Sequence, residues 1–344
     1  MATYDGVIEA VGLTDWCSVE GAGGPMTMEE LMAQARGETE APDVNLWELP
    51  FPSLDALNQS CSIIPRTRDM TDAVEQGFLG IKDALRVVLD PITTPLGWML
   101  DLSLQFFQAV PWFIMIPFLI AITWFASKSA KVTALVAFSF LFMAFIDHYV
   151  YAIQTLSIIF VCTIFSVVLG VPIGIAMSRS NVLQRGAIPV LDMLQTLPTF
   201  VYLVPLIFLF SVTESKLYGI AIILYAIVPV IRLTDLGIRL VDKDVIEAAN
   251  AFGMTSWQKL TRVQIPLALP NIMAGINQTI MMSLAMVVIA SLVSAPGLGV
   301  LVLRGIRNLE LGVGLVSGFC IVLLAILLDR STKAALSRID ASGR

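Results

Sequence analysis

Seven apolar segments, near residues 111–126, 130–147, 152–177, 188–211, 216–232, 271–294 and 312–328, each approach the length that crosses a bilayer. In hydrocarbon no water is present to pair with backbone N–H and C=O groups. A spanning segment must therefore satisfy its own hydrogen bonds, and a helix does so. The expected fold is all-α, a polytopic membrane protein of about seven transmembrane helices. Composition agrees: 57% of the 344 residues are hydrophobic, only 14% are charged and the mean hydropathy is +0.82. A soluble domain carries about 25% charged residues. The first, second, fifth and last segments are short, so their ends are expected to extend or tilt.

Charge is distributed unevenly along the chain. Residues 1–110 hold five Lys and Arg against seventeen Asp and Glu, whereas the remainder holds sixteen against ten. An acidic polar segment is thus joined to a membrane domain, and with no basic run the chain gives no reason to expect nucleic acid. Connections after the first, third, fifth and seventh segments carry thirteen basic residues, and those on the opposite side carry three: Lys216, Arg304 and Arg307. The richer side is expected to be cytoplasmic, which puts the N-terminus outside and the C-terminus in the cytoplasm. The opening MATYDGVIEAVGLTDW lacks a positive start and an unbroken apolar core, so no cleavable signal peptide is expected.

Residues 1–68, rich in Gly, Pro, Glu and Ser, lack sustained periodicity and read as a loosely structured acidic periplasmic tail. Residues 69–110 read as interfacial helices. Within them Met70, Val74, Phe78, Ile81, Leu85 and Val88 recur at steps of three or four, opposite Asp72, Glu75, Lys82, Asp83 and Arg86. Such a helix lies on the membrane surface or against the spans. It could be a platform for a partner, a brace between subunits or a solubilising tail. Cys17 and Cys61 both fall in the acidic tail, where a periplasmic setting permits a bridge. Cys162 and Cys320 fall inside apolar segments and read as small packers.

The transmembrane domain, residues 111–335, is interrupted by one conspicuously ordered loop, residues 233–270, and followed by a short cytoplasmic tail, residues 336–344. In that loop the stretch EAANAFGMTSWQKLTRVQIPLALP runs from Glu247 to Pro270. Asp244 with Glu247 forms one capping pattern, Thr255 with Gln258 a second. Gly253 suits a left-handed helix stop, and Pro266 suits a helix end. Two short helices are expected, the first over residues 245–252. A passive linker does not need so much order; a loop that presses on a partner does.

These residues resemble the signature loop of permease subunits in bacterial ATP-binding-cassette importers: Glu-Ala-Ala, three residues, Gly, nine residues, then Ile-x-Leu-Pro. Here Glu247, Ala248 and Ala249 lead, Gly253 takes the glycine position, and Val263-Gln264-Ile265-Pro266 closes the pattern with Val and Ile for Ile and Leu. The stretches LDMLQTLPTFVYLVP (residues 191–205) and NIMAGINQTIMMSLAMVVIAS (residues 271–291) resemble the betaine/proline branch of that family. The resemblance covers residues 90–335. It implies a type I importer permease core working as a pair of identical subunits in the bacterial inner membrane. It also implies two cytoplasmic ATPase subunits, a periplasmic substrate-binding protein, and a quaternary ammonium or betaine-type solute. Glu247, Ala248, Ala249, Phe252, Gly253, Met254 and Pro266 would form the ATPase-coupling element. Small alanines would allow close approach, and Phe252 and Met254 would supply apolar anchors.

A transport pathway needs polar groups inside spans, where an unpaired one facing lipid is costly. Asp192, Gln195, Thr196 and Thr199 share one helical face beside Pro198, which reads as a kinked lining helix; Asp192 reads equally as a charge at the membrane edge. Asn271, Gln278, Thr279 and Ser283 in the sixth segment serve either a pathway or helix–helix hydrogen bonding. Gly170 and Gly174 flank Pro172 at GxxxG spacing and read as a site of close helix packing. A single histidine, His148, cannot assemble a metal site, and no GxxxxGK[ST] motif occurs. No cofactor is therefore expected in this chain: ATP and Mg²⁺ belong to the ATPase partner, and the chain is not itself an enzyme. The alternatives are a permease for another small solute, such as an amino acid, and an ion-coupled secondary transporter. The latter would call for an inverted repeat and intramembrane carboxylates.

Overall fold

The computed structural model describes Tyr4, Cys17, residues 51–61 and residues 63–342, with side chains through residue 335. It divides into two compact units, Met1–Asp83 and Ala84–Arg344. In the first unit a short helix α1 (Leu54–Ser60) starts at Ser53, whose hydroxyl accepts from the Ala56 N–H. Asp55 accepts from the Thr67 N–H at 2.8 Å and Asn58 accepts from Arg66 Nε at 2.9 Å, so polar side chains order the turn that follows. Cys17 and Cys61 are joined by a disulfide, the pairing that the acidic segment permits. Apart from these residues, the expectation for residues 1–50 lies outside the described residues.

The amphipathic stripe does become a helix, α2 (Thr67–Ala109), a single helix that contains both Pro91 and Pro95. Met70, Val74, Ile81, Leu85 and Val88 remain exposed along it and Phe78 is half-buried.

In the second unit α3 (Trp112–Ser127) and α4 (Ala130–Phe145) form an apolar hairpin that turns at Lys128, φ +47°. Each has 16 residues, about 24 Å at 1.5 Å per residue. That is short of the ~30 Å hydrocarbon core. Helix α5 (Tyr149–Arg179) follows, then α6 (Asn181–Thr196), a 3₁₀ turn (Thr199–Tyr202), α7 (Leu203–Leu209) and α8 (Ser215–Arg239). Beyond the loop come α11 (Ile265–Ala290), α12 (Leu298–Arg307) and α13 (Leu311–Ser342). The two loop helices, α9 (Lys243–Ala251) and α10 (Ser256–Lys259), lie between α8 and α11.

Seven continuous spans are not what forms. Four helical runs among the described residues are long and apolar enough to cross: Tyr149–Arg179, Ser215–Arg239, Ser256–Val293 and Leu311–Ala335. Two more crossings arise only if bent pairs count as one each, α2 with α3 at 111° and α6 with the Thr199–Leu209 segment at 105°. The fourth expected span, 188–211, is therefore broken. The cause is local: Leu197 sits extended at ψ 135° before Pro198, whose ring disfavours a helical predecessor.

The core is α8, gripped from two sides. On α5, Gly170 lies so close that an added Cβ would stand 3.1 Å from Ile227 Cγ1, and one on Gly174 would stand 2.7 Å from the Ile231 carbonyl oxygen. On α11, a Cβ at Gly275 would meet Val230 Cα at 3.0 Å. Gly237 of α8 answers against α11, where its Cβ would lie 2.7 Å from Asn271 Cβ. The GxxxG pair is thus a packing notch, as its spacing implies. Gly174→Ala should destabilise the unit by about 1–3 kcal/mol through overpacking against a backbone that cannot retreat. Gly186→Ala, with nothing within 4 Å, should not. Thermal unfolding of the two variants in the same detergent checks this; a lower Tm is expected for Gly174→Ala alone.

Candidate coupling and pathway site

The loop between α8 and α11 is a compact knuckle held by local chemistry. Helix α8 continues to Arg239, two turns past the end of its apolar run, so the knuckle begins only at Leu240. Its first helix starts earlier than expected: Asp242, not Asp244, is the cap, its carboxylate accepting from the Asp244 N–H at 3.0 Å. Asp242 is extended at ψ 133°, which leaves Asp244 inside the first turn and unable to pair with Glu247 as a capping box. Helix α9 then ends as the glycine implies. Gly253 is left-handed at φ +72°, its N–H bonds the Asn250 carbonyl at 2.9 Å and the Met254 N–H bonds the Ala249 carbonyl at 3.1 Å. That pair of bonds is a Schellman stop.

The second capping box forms as expected: Gln258 N–H donates to the Thr255 hydroxyl at 3.3 Å, and Gln258 Oε1 accepts from the Thr255 N–H at 2.9 Å. Pro266, however, ends nothing. A π turn at Leu260–Gln264 follows α10, with the Ile265 N–H bonded to the Leu260 carbonyl, and Pro266 sits in the first turn of α11. There its missing N–H costs little. The outcome is one helical run from Ser256 to Val293.

Among the seven residues expected to couple, Glu247, Ala248, Phe252, Gly253 and Pro266 are exposed, Met254 is half-buried, and Ala249 is buried within the chain. Ala249 thus packs inward and offers no contact surface, while Phe252 is 84% exposed. Trp257, 67% exposed on α10, is a second apolar projection that the motif does not single out. The knuckle is tied back to the bundle where Arg179, at the end of α5, donates to the Ser256 carbonyl at 3.0 Å.

The expected pathway residues divide. On α6, Asp192 is exposed and forms an ion pair with Arg232 of α8, in keeping with its reading as an edge charge. Thr196 is exposed, and Gln195 and Thr199 are half-buried; Thr199 opens the 3₁₀ turn, so the four do not share one continuous helical face. Gln195 Nε2 lies 3.8 Å from Met282 Sδ, which brings α6 to α11. On α11, Gln278 is exposed and Asn271 is half-buried against Gly237. Thr279 and Ser283 are fully buried within the chain and continue the stripe of Gly275, so they serve helix packing in this arrangement rather than an open lining. Their hydroxyls have no partner.

Sequence reading did not find a polar cluster at the base of α8. Asp235 accepts from Arg239 Nε at 2.9 Å and from Gln184 Nε2 at 2.7 Å. An Asp–Arg pair at i, i+4 on a helix was a visible signal; its partners on α6 were not. Nor was the bond from Asn277 of α11 to Asp329 of α13, 3.0 Å.

Residues 166–341 match the family described as binding-protein-dependent transport system inner membrane component. The chain belongs to this family. The permease is 40% identical over 274 residues to the glycine betaine transport system permease protein OpuAB of Bacillus subtilis (strain 168), spanning 79% of this chain and 92% of that relative. It is 37% identical over 290 residues to the glycine betaine/proline betaine transport system permease protein ProW of Escherichia coli (strain K12), spanning 84% of this chain and 81% of the relative. A solved inward-facing MetNI methionine ABC transporter shares the fold at a TM-score of 0.50 and 21% identity, over 55% of this chain and 94% of the matched one. The knuckle falls wholly inside the family match. If its caps hold it in shape, Thr255→Ala should loosen α10 by about 1 kcal/mol. Hydrogen–deuterium exchange should then speed up over residues 256–260 of the permease and stay unchanged in α8.

Proposed function

We propose that this permease moves a small betaine-type or quaternary ammonium solute from periplasm to cytoplasm, powered by ATP hydrolysed on a separate polypeptide. In this reading two copies form the pathway in the inner membrane, with N-termini outside and C-termini inside. A periplasmic binding protein delivers the solute, and each knuckle docks on one of two cytoplasmic ATPase subunits. The observation that carries the reading is the exposure of Phe252 on a turn fixed by a Schellman stop and a capping box. A large apolar ring held in water by a rigid backbone is a docking anchor, because its burial against a partner stabilises the complex with little ordering cost. Glu247 and Ala248 lie exposed on the same short helix, and Met254 flanks the turn. Relatives named for glycine betaine and proline betaine transport support the solute class. Gln195, Thr196, Thr199, Asn271 and Gln278 are the polar groups best placed to meet the solute between two copies.

Closure of the ATPases on ATP would draw the knuckles together and turn the pathway inward, coupling nucleotide and solute sites through one two-state body. The test is reconstitution with the ATPase and the binding protein, with uptake of glycine betaine, proline betaine, choline and trimethylamine N-oxide measured with and without ATP. ATP-dependent uptake of at least one is expected. Phe252→Ala, which removes no internal packing, should reduce it about tenfold or more by deleting a docking anchor, with membrane insertion unchanged. Normal uptake by that variant would rule out the anchor role.

A further inference from the structure

The base of α8 presents three polar side chains, Arg232, Asp235 and Arg239, at steps of three and four that place them on one helix face. All three reach α6. Arg232 pairs with Asp192 near the end of α6, Asp235 accepts from Gln184 at 2.7 Å, and Arg239 donates to Asn181 Oδ1 at 2.8 Å at its start. Arg239 also donates to the Met177 carbonyl at 2.7 Å, which adds the end of α5. Asp235, only 6% exposed, holds the centre by accepting from both Gln184 and Arg239. Only three residues, Leu240 to Asp242, separate α8 from α9 of the knuckle. At its far end α6 terminates at the Leu197–Pro198 bend, beside Gln195 and its contact with Met282.

We propose that Asp235 and Arg239 are positioning residues that clamp α6 to the base of α8, so that displacement of the knuckle is delivered to the bend at Leu197–Pro198. The polar clamp suits this task better than apolar packing would. A guanidinium that donates to three separate residues and a buried carboxylate with two donors fix both the register and the rotation of the helices, whereas apolar surfaces can slide. The seam makes α6, the base of α8 and the knuckle one body, and it leaves the Leu197–Pro198 bend as the joint about which that body turns against α7. This inference rests on the coupling reading for its consequence in transport, but the clamp itself can be tested without transport.

Two measurements decide it. In the reconstituted transporter, Asp235→Asn should keep ATP hydrolysis near the parental rate while solute moved per ATP falls about tenfold, a size typical of lost coupling between sites. Asp235→Glu should restore a large part of that ratio. A parallel fall of hydrolysis and uptake, or an unchanged ratio, would overturn the proposal. The second measurement uses the full-length permease alone, with spin labels at Val182→Cys on α6 and Asp244→Cys on α9 and with labelled chains diluted into unlabelled ones. The intramolecular distance distribution should be narrow in the parent and broad in Asp235→Asn. Equal widths sink the clamp whatever the solute or the ATPase proves to be. A narrow parental distribution in a transporter that shows no ATP-driven uptake would instead sink the coupling reading and leave the clamp standing.

Discussion

Close backbone contact around α8 is the interaction from which the rest of the membrane unit follows. In a bilayer, lipid tails are as apolar as leucine, so burying apolar side chains between helices brings little advantage. Association there depends on dispersion at short range and on the few hydrogen bonds available. Gly170 and Gly174 on α5, Gly275 on α11 and Gly237 on α8 let three backbones approach where even a methyl group would collide. The helix so gripped is also the most buried of the four long runs. It ends in Arg239, three residues short of α9, so this tightly packed helix leads directly into the knuckle.

How much of this was legible in the sequence depends on whether the deciding interaction was local. Thr255 with Gln258, and Gly253 with its left-handed backbone, formed as their residue types dictate because the bonds span three to five positions. The GxxxG notch was readable for the same reason: small residues at four-residue spacing have few other uses between helices. The extents of the helices were less legible. The apolar segment that became α8 closes at Arg232 and was expected to extend, but its sequence did not say how far; the helix runs to Arg239, where Asp235 and Arg239 find partners on α5 and α6. The broken span 188–211 carried its signal openly in Pro198, but whether a proline bends a helix or ends it is decided by the neighbouring packing. Likewise Pro266 read as a terminator and became a first-turn residue once a π turn had absorbed the mismatch.

The pathway residues show a second limit. Polarity inside an apolar segment was treated as a sign of contact with solute or water, yet many such hydroxyls are occupied at home. Thr123, Thr133 and Thr155 each donate to the carbonyl four residues before them. Thr155 additionally accepts from the Leu298 N–H at 2.9 Å, fixing the entry to α12. Thr279 and Ser283 are buried along the Gly275 stripe. What separates the lining candidates from these is exposure on the isolated chain, a property of the folded surface that no one-dimensional pattern encodes.

The π turn at Leu260–Gln264 has a consequence of its own. It accommodates one residue more than an α-helix would over the same rise, so the faces of α10 and α11 are out of phase by about 100°. Ahead of the turn Trp257 looks outward, while Leu260, three residues along, is buried. Unwinding that turn to regular α geometry would screw everything before it, Phe252 included, through more than a quarter revolution. A membrane helix built this way holds a latent rotation at its knuckle end, and a twisting load applied there has a defined place to be taken up.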